Sequence, residues 1–289
     1  MSKSQSIRGT ILKYKADRRP VAFVTIMFAI HVALWLFATP LVCLLAFLPL
    51  TILSMFIAPI NHHHQHLNAF RDAWANRVYD LMLSLQTGIG PYSWVLHHNF
   101  GHHMNYLNQP PHDKVDESHW AREDGSTMGR FEYTVHLYLN HQIDIYRVGK
   151  KHPKIYKHYL WMKLPLYALI ALGFYINPIN YLIVFFVPGV IAVIHTCYAT
   201  YEHHAGYHSD NHLTASRNRE SAAFNFMTCN LGLHTAHHKR PGLHWSLLPK
   251  LHAEIRQQIP AEQLIPGFFD EPPEVSAAYS TPPATAALA

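Results

Sequence analysis

Charged side chains are scarce in this sequence of 289 residues. Asp, Glu, Lys and Arg together make up 14% of it, whereas hydrophobic residues make up 49%. These charges are too few for the surface of an ordinary water-soluble protein, and the composition excludes a disordered or collagen-like chain. Cysteine is also rare, and Cys43, Cys197 and Cys229 lie too far apart for a zinc ribbon, a CxxC motif or a disulfide framework. The net charge of +5 is modest, which argues against nucleic acid as a partner.

The sequence also lacks the motifs of three common enzyme classes. It has no HExxH, the motif of a zincin protease. It has no Glu-x-x-His pair of the kind found in ferritin-like di-iron bundles. It has no GxGxxG, because Gly88 and Gly90 are followed directly by Pro91.

Long hydrophobic runs are present in four places. As helices at about 1.5 Å per residue, the first two are roughly 27–30 Å long, enough to cross a hydrocarbon core of about 30 Å. Short turns at residues 39–40 and 177–180 separate the runs into two pairs, which predicts two hairpins. The fold class predicted is therefore an all-α integral membrane protein with four transmembrane helices. Their predicted ranges are 21–38, 41–60, 161–176 and 181–200.

The positions of the basic residues predict the orientation. They cluster before the first and third runs, and the two hairpin turns carry no charge. By the positive-inside rule, both termini and the segment between the hairpins are cytoplasmic. The protein is thus expected in the cell's cytoplasmic membrane, with a histidine-rich cap and its site on the cytoplasmic face. The basic clusters are Lys3, Arg8, Lys13, Lys15, Arg18 and Arg19, then Lys150, Lys151, Lys154 and Lys157.

Three segments are expected along the chain. Residues 1–20 form a basic cytoplasmic N-terminus, and residues 21–265 form a single membrane domain. The remainder, 266–289, contains two Pro-Pro pairs among small residues and is expected to be a disordered tail.

Histidine is the commonest ionisable residue, with 25 in the chain, and it occurs in clusters. Each cluster lies at or just past the predicted cytoplasmic end of a membrane helix. On a continued helix, the i, i+4 spacing places two imidazoles on one face, as metal binding requires. In the second cluster His98 and His102 then share a face, and His103 is turned by about 100° toward a second ion. The clustered histidines are His62 and His66; His98, His102 and His103; His203 and His204; and His234, His237 and His238.

So many imidazoles are too many for one tetrahedral zinc ion but suit two metal ions with open positions. Imidazole favours zinc, copper, iron or nickel, so the spacing does not select the metal. Carboxylates near the clusters, including Glu202 and Asp210, are candidates to orient ligand imidazoles through the second ring nitrogen. Two other interpretations remain open: a polar helix face at the lipid interface for a single cluster, and a divalent-metal transporter or buffer for the whole chain.

The set HxxxH, HxxxHH and HxxHH, spaced around two membrane hairpins, resembles the membrane fatty acid desaturase and hydroxylase superfamily. The resemblance covers residues from about 20 to 255. It implies a non-haem di-iron centre that uses O2 as a co-substrate to attack a C–H bond of a fatty acyl or alkyl chain. The metal ligands it implies are His62, His66, His98, His102, His103, His234, His237 and His238.

The resemblance adds further candidates. Glu202-His203 is similar to a motif of membrane alkane hydroxylases, which implies His203 as a ninth ligand. In desaturases an asparagine approaches one iron through water, a role for which Asn230 or Asn225 is a candidate. No haem motif of a fused cytochrome b5 is present. The electrons are therefore expected from a separate ferredoxin-, rubredoxin- or cytochrome b5-type donor with its reductase.

The expected function is an O2-dependent di-iron fatty acid desaturase that lies in the membrane. Hydroxylation and oxidative decarboxylation to a terminal alkene remain alternatives, because all three reactions begin with hydrogen abstraction. No separate acid or base is assigned to the catalysis.

Overall fold

The computed structural model describes residues 11–276 and 279–280. The chain is about 67% helical. In the described residues, named strands are confined to β1 (Asn218–Arg219) and β2 (Leu264–Ile265), which pair in parallel. The predicted all-α class is confirmed. Of the predicted terminal segments, residues 1–10 and, in the tail, 277–278 and 281–289 lie outside the described residues.

Twelve α-helices are formed by the described residues. Short π-helical segments at Val95–His102 and Leu182–Phe186 interrupt or precede them. The α-helices are α1 (Arg18–Phe37), α2 (Pro40–Met55), α3 (Ile57–His66), α4 (Ala73–Thr87), α5 (His103–Asn105), α6 (Arg130–Lys151), α7 (Pro153–Ile176), α8 (Pro178–Tyr181), α9 (Val187–His204), α10 (Ala222–Met227), α11 (His234–Lys239) and α12 (Leu248–Ile255).

Four helical stretches are long and apolar enough to cross a membrane. They are Lys15–Phe37, Pro40–His66, Pro153–Ile176 and Pro178–His204. The four transmembrane helices predicted from hydropathy are therefore confirmed. The stretches differ from the predicted ranges mainly at their polar ends, because the backbone stays helical after the apolar run has stopped or before it has begun.

The chain divides into two compact units. The first consists of the described parts of Met1–Trp94 and Lys154–His195, and the second of those of Val95–Pro153 and Thr196–Ala289. The first unit contains most of the membrane-spanning residues, and the second contains α6 and the last three histidine clusters.

Both hairpin turns in the first unit use the same capping device. The Thr39 hydroxyl accepts a hydrogen bond from the backbone N–H of Val42, and the Asn177 side chain accepts one from Asn180. A proline follows each capping residue at the first helical position, where its missing N–H costs no helical hydrogen bond. These polar residue–proline pairs end one membrane helix and begin the next within one or two residues.

The two hairpin turns are joined by hydrogen bonds within the first unit. The Asn180 side-chain amide donates to the carbonyl oxygens of Leu34, Trp35 and Ala38, at distances of 2.9–3.3 Å. In return the Trp35 indole N–H donates to the carbonyl oxygen of Gly173 at 3.2 Å. The Leu34 carbonyl also accepts from the N–H of Ala38, whereas those of Trp35 and Ala38 accept from side chains of the second turn. These bonds satisfy polar groups at the end of α1 in an apolar environment. The contacts place both turns at the same end of the unit.

In the second unit, a small apolar core supports the last histidine cluster. Leu233 and Ala236 pack from α11 against Leu248, Leu251 and Ile255 of α12. The apolar residues of α12 recur at three- to four-residue intervals, so they share one face of that helix. This packing stabilises α11, which has only six residues and is too short to be stable alone.

The C-terminal segment packs onto the same unit. The Arg219 guanidinium donates to the carbonyl oxygens of Gly267, Phe268 and Asp270 at 2.8–3.1 Å. Arg217 donates to the carbonyl oxygen of Pro273. The first part of the tail, for which disorder was predicted, is therefore held by hydrogen bonds to buried arginines.

Candidate metal centre

The first histidine cluster lies on α3, in the first unit. Pro59 occupies the first turn of this helix, where proline is tolerated, and the helix continues through the cluster to His66. The Nε2 atoms of His62 and His66 are 3.1 Å apart. The expectation that these two residues share one helix face is confirmed. Asn61, which donates to Thr87 and to the carbonyl oxygen of Ile89, ties the helix to the end of α4.

The second cluster lies on a π-helical segment, Val95–His102, in the second unit. Because i→i+5 hydrogen bonds widen each turn, residue i+5 lies nearer to the face of residue i than it does in an α-helix. His103 therefore comes close to His98, with ring centroids 4.5 Å apart. The expected proximity of His98 and His102 is confirmed, with ring centroids 5.0 Å apart. The α-helical geometry expected for this cluster is wrong, and with it the expected separation of His103 from His98. Short π-helical segments are often found at functional sites.

The last cluster lies on α11 in the second unit. The Thr235 hydroxyl lies within hydrogen-bond distance of Ser216 and Asn218, and its backbone N–H donates to the Asn218 side chain. The last of these bonds satisfies a buried N–H group of the first turn, which has no partner within the helix. His234 and His238 are one turn apart on the same face, and their Nε2 atoms are separated by 3.1 Å.

Four buried histidines of the second unit form one group of converging nitrogens. The group consists of His102, His204, His234 and His238, whose ligand atoms all lie within 4.8 Å of one another. The Nε2 atom of His204 is 3.0 Å from that of His234 and 3.0 Å from that of His238. Three nitrogens are thus mutually separated by 3.0–3.1 Å.

Hydrogen bonds cannot account for this triangle. An imidazole nitrogen offers either a proton or a lone pair, so three of them cannot all bond to one another. The Nδ1 atom of His204 lies 2.8 Å from the carbonyl oxygen of Ala215, which only accepts, so Nδ1 carries the proton. In the neutral ring, Nε2 of His204 then points its lone pair into the group. A shared cation would satisfy such lone pairs.

The spacing of the nitrogens fits a metal ion with open positions. At a metal–nitrogen distance of about 2.1 Å, two ligands at 90° are about 3.0 Å apart, and two ligands at a tetrahedral angle are about 3.4 Å apart. The observed separations of 3.0–3.1 Å match the smaller value. The donor set therefore suits an ion of more than four coordinate positions better than a closed tetrahedral zinc site.

A second group lies beside the first in the same unit. Its members within the unit are His98, His103 and His237, with the Nε2 atoms of His103 and His237 at 3.0 Å. The ring of His103 is 4.2 Å from the ring of His238, centroid to centroid. Because His238 belongs to the first group, the two groups are neighbours. The second unit alone can thus provide ligands to two adjacent metal ions.

Asp116 holds His102 in place, a contact that the sequence reasoning missed. Its Oδ1 atom is 2.9 Å from the Nδ1 atom of His102, and Gln109 donates to its Oδ2 atom at 3.2 Å. Burial alone would raise the pKa of Asp116, but the adjacent His102 and the N–H of Ser118 lower it below its usual value. The carboxylate therefore stays ionised and accepts the Nδ1 proton, which leaves the Nε2 lone pair of His102 for a metal.

Burial keeps His234 and His238 of the last cluster neutral. It lowers the pKa of His234 and His238 well below the usual value, and the neighbouring imidazoles lower it further. A neutral imidazole is the form that binds a metal. The two residues are therefore prepared to bind a cation at neutral pH without losing a proton.

The structure brings His204, and not the predicted His203, into the group of four. His203 lies outside the group and stacks on His234, with ring centroids 3.8 Å apart. The cause is rotation along α9, because successive residues of a helix point about 100° apart. Only one of two adjacent histidines can point into the group.

The other predicted supporting residues lie elsewhere. Glu202 forms a short hydrogen bond to Arg219 and lies 3.8 Å from Arg130. Asp210 is exposed. The Asn230 amide donates to the carbonyl oxygen of Trp245 at 3.1 Å, and Asn225 donates to the carbonyl oxygen of Arg219 at 2.7 Å. These contacts support the backbone around α10 and α11. The available signal for Asp116 was only that a carboxylate follows the second cluster within a polar loop.

A comparison with known protein families is consistent with a histidine metal centre in a membrane protein. The sequence model of the fatty acid desaturase family matches residues 33–266. The matched range contains every histidine cluster, three of the four membrane-spanning stretches and the C-terminal end of the first. No curated protein and no solved structure matches the chain.

Proposed function

Because the chain belongs to the fatty acid desaturase family, we propose that it is a membrane enzyme that desaturates fatty acyl chains with O2 and two iron ions. The family assignment and the four membrane-spanning helices support an oxidoreductase that acts on a lipid. Desaturation removes two hydrogens from the acyl chain, takes two electrons from a donor and two protons from water, and reduces O2 to two water molecules. The proposal therefore requires a metal centre and a source of electrons.

The observation that carries the proposal is the pair of adjacent histidine groups in the second unit. His102, His204, His234 and His238 would hold one iron ion, and His98, His103 and His237 would hold the other. The sequence pattern of the three boxes adds His62 and His66 to the proposed ligands. When bound there, two iron ions would supply the O2 activation and the one-electron steps that break an unactivated C–H bond.

The residues around the ligands have defined parts in this proposal. Asp116 and the carbonyl oxygen of Ala215 hold the rings of His102 and His204 with Nε2 facing inward. Fixing a ligand ring in this way lowers the cost of organising the site around the metal. His203 stays out of the ligand set in this proposal, and His204 takes its place.

The position of the ligands along the helices argues against a metal transporter. His66 ends the stretch Pro40–His66, and His204 ends Pro178–His204. A transporter places its ion ligands near the middle of the bilayer, on interrupted helices. Ligands at helix ends instead suit an enzyme that binds the metal at the membrane surface. Hydroxylation and oxidative decarboxylation share the first step with desaturation, and no contact among the described residues of the second unit selects among the three.

The orientation and the electron donor belong to the same proposal. Basic residues around α1 and α7 support a cytoplasmic position for the histidine groups, at the cytoplasmic membrane. A separate ferredoxin-, rubredoxin- or cytochrome b5-type protein would deliver electrons there. Lys150, Lys151, Lys154 and Lys157 are candidates to bind an acidic donor or anionic lipid headgroups.

Mass spectrometry of acyl chains tests the function in cells. Cells that express the protein should accumulate chains that have lost two hydrogens, and cells that express the His234→Ala variant should not. The variant should insert into the membrane to the same level, because the spanning helices do not depend on His234. A gain of oxygen or a new terminal alkene would replace the desaturase proposal by one of its alternatives. Identical lipids in both cell lines would refute it.

A further inference from the structure

Helix α6 carries large apolar side chains on two opposite faces. Its buried face includes Tyr133, Leu137, Ile145 and Val148, which pack within the second unit. Its other face is a stripe of exposed apolar side chains, called here the α6 stripe. The α6 stripe consists of Phe131, Val135, Tyr138, Leu139, Ile143 and Tyr146.

The α6 stripe follows the period of a helix. At 100° per residue its members fall within an arc of about 140°, opposite the buried face. The exposed polar residues Glu132, Gln142 and Lys150 lie in the same arc, so the stripe is predominantly but not wholly apolar. Phe131 is 79% exposed and Leu139 is 66% exposed. A predominantly apolar surface of this kind marks a face that another apolar phase covers.

We propose that the α6 stripe lies in the lipid bilayer, in the interfacial layer, so that α6 is a membrane-surface helix. This proposal needs no metal and does not depend on the proposed enzyme activity. It adds a lipid contact to the second unit, whereas the spanning segments predicted from the sequence lie almost entirely in the first.

Chain continuity favours the bilayer as the partner. Helix α6 ends at Lys151, and α7, which is long and apolar enough to span a membrane, begins at Pro153. Only His152 separates the two helices, so the end of α6 must lie where the membrane span meets the surface. A helix that starts from this point and carries an apolar stripe can place that stripe in the interface without any rearrangement of its buried face.

Charge and aromatic side chains also fit this partner. Lys150 and Lys151 at the end of α6 are followed by Lys154 and Lys157 at the start of α7, a density of positive charge that attracts anionic headgroups. The Lys150 ammonium lies 4.3 Å from the centre of the Tyr146 ring. This geometry lets the lysine reach headgroups while its alkyl chain and the tyrosine remain in lipid. Tyrosine is itself enriched at membrane interfaces.

The position of α6 would bring the lipid close to the proposed metal site. On its buried face, Asp144 of α6 lies 4.0 Å from the Nε2 atom of His97, next to the proposed ligand His98. Packed helices have axes about 8–10 Å apart. A bilayer that covers the α6 stripe would therefore lie within about one helix diameter of the segment that carries the second histidine cluster.

Spin labels on the full-length protein in phosphatidylcholine–phosphatidylglycerol nanodiscs test the proposal. The native cysteines are buried and do not label readily, so a single nitroxide can be attached at Leu139→Cys. Ala253→Cys on α12, also exposed and in the second unit, is the matched control. Substitutions at exposed positions change stability little, so both variants should fold.

We expect the label at position 139 to collide several-fold more with O2, and several-fold less with a water-soluble nickel chelate, than the label at position 253. Equal accessibility of both labels to the nickel chelate would overturn the proposal, because the stripe would then face water. Protection of position 139 from both O2 and nickel, with spin–spin broadening that disappears on dilution with unlabelled protein, would also overturn it. That result would assign the stripe to a contact between two copies of the chain.

Discussion

The Nδ1 atom of His102 lies 2.9 Å from the Oδ1 atom of Asp116, and both side chains are buried. This bond fixes the ring of one proposed ligand histidine from a residue fourteen positions away, across a loop. Gln109 holds the carboxylate from the other side, and its own oxygen accepts from the N–H of Trp120. The loop that carries Gln109 and Asp116 therefore holds the ring of His102 in position.

Replacing Asp116 should weaken metal binding. In Asp116→Asn, the side chain keeps its shape but loses the negative charge that stabilises the His102 Nδ1 proton. Substitution of a residue that orients a ligand typically lowers metal affinity about 10- to 100-fold. We expect the variant to lose iron to a chelator at a correspondingly lower chelator concentration. Asp113→Asn, at an exposed position of the same loop, should behave as the unmodified protein, and equal chelator sensitivity of both variants would contradict this part of the account.

His203 and His204 should differ in their effect on metal content. His204→Ala removes one of four converging nitrogens, and His203→Ala removes a ring that only stacks on His234. We expect His204→Ala to lose about half of the bound iron after gel filtration, and His203→Ala to retain it. If His203→Ala lost iron and His204→Ala retained it, the ligand would be His203, as the sequence resemblance implied.

The close approach of α4 and α9 in the first unit should depend on Gly88. Its φ of +70° is a left-handed conformation, and an added Cβ would lie 2.7 Å from the carbonyl oxygen of Gly189. Gly88→Ala should therefore destabilise the protein by more than about 1 kcal/mol and lower its thermal midpoint in detergent.

Gly189→Ala is the matched control for this contact. Its added Cβ would meet its nearest atom, the backbone nitrogen of Gly88, at an ordinary 3.4 Å. Alanine is also the better residue inside a helix. The thermal midpoint of this variant should stay the same or rise, and a larger loss for Gly189→Ala than for Gly88→Ala would show that the helices pack differently.

Acid should destabilise the second unit through Glu220. Hydrogen bonds from Arg256 and then from His252 hold the pKa of Glu220 below its usual value. The unfolded chain therefore binds a proton more readily than the folded one, and stability falls as the pH drops below the ordinary range of a glutamate.

The measurement for Glu220 is the thermal midpoint in detergent between pH 7 and about pH 3. At pH 7 the Glu220→Gln variant should be less stable than the unmodified protein, and this difference should shrink as the pH falls below the usual pKa of a glutamate. Glu254→Gln, at an exposed position on α12, serves as the control and should give a constant difference. A Glu220→Gln difference that does not change with pH would mean that the ion pair contributes nothing.

The membrane helices and the histidine clusters could be predicted because their signals are local. An apolar run defines a spanning helix by its own composition, and the pairs Thr39-Pro40 and Asn177-Pro178 mark the turns by their capping chemistry. The i, i+4 spacing of His62 and His66 gives a shared face as soon as the helix continues. None of these inferences requires knowledge of contacts between distant residues.

The details of the site could not be predicted, because they depend on tertiary contacts. The π-helical backbone at Val95–His102 changes which histidines meet, and residue spacing alone does not indicate it. The choice of His204 over its neighbour depends on the rotation of α9 relative to α11. The hydrogen bond between Asp116 and His102 depends on how the loop between them folds back. No periodicity in the sequence indicates that fold.

The iron content of the purified, folded protein tests the central claim most directly. Metal analysis by mass spectrometry should find about two iron ions per chain. The His102→Ala and His237→Ala variants, each altered in one group, should each retain about one. A folded protein that binds no iron, or that binds only a single zinc ion unaffected by these substitutions, would contradict the account.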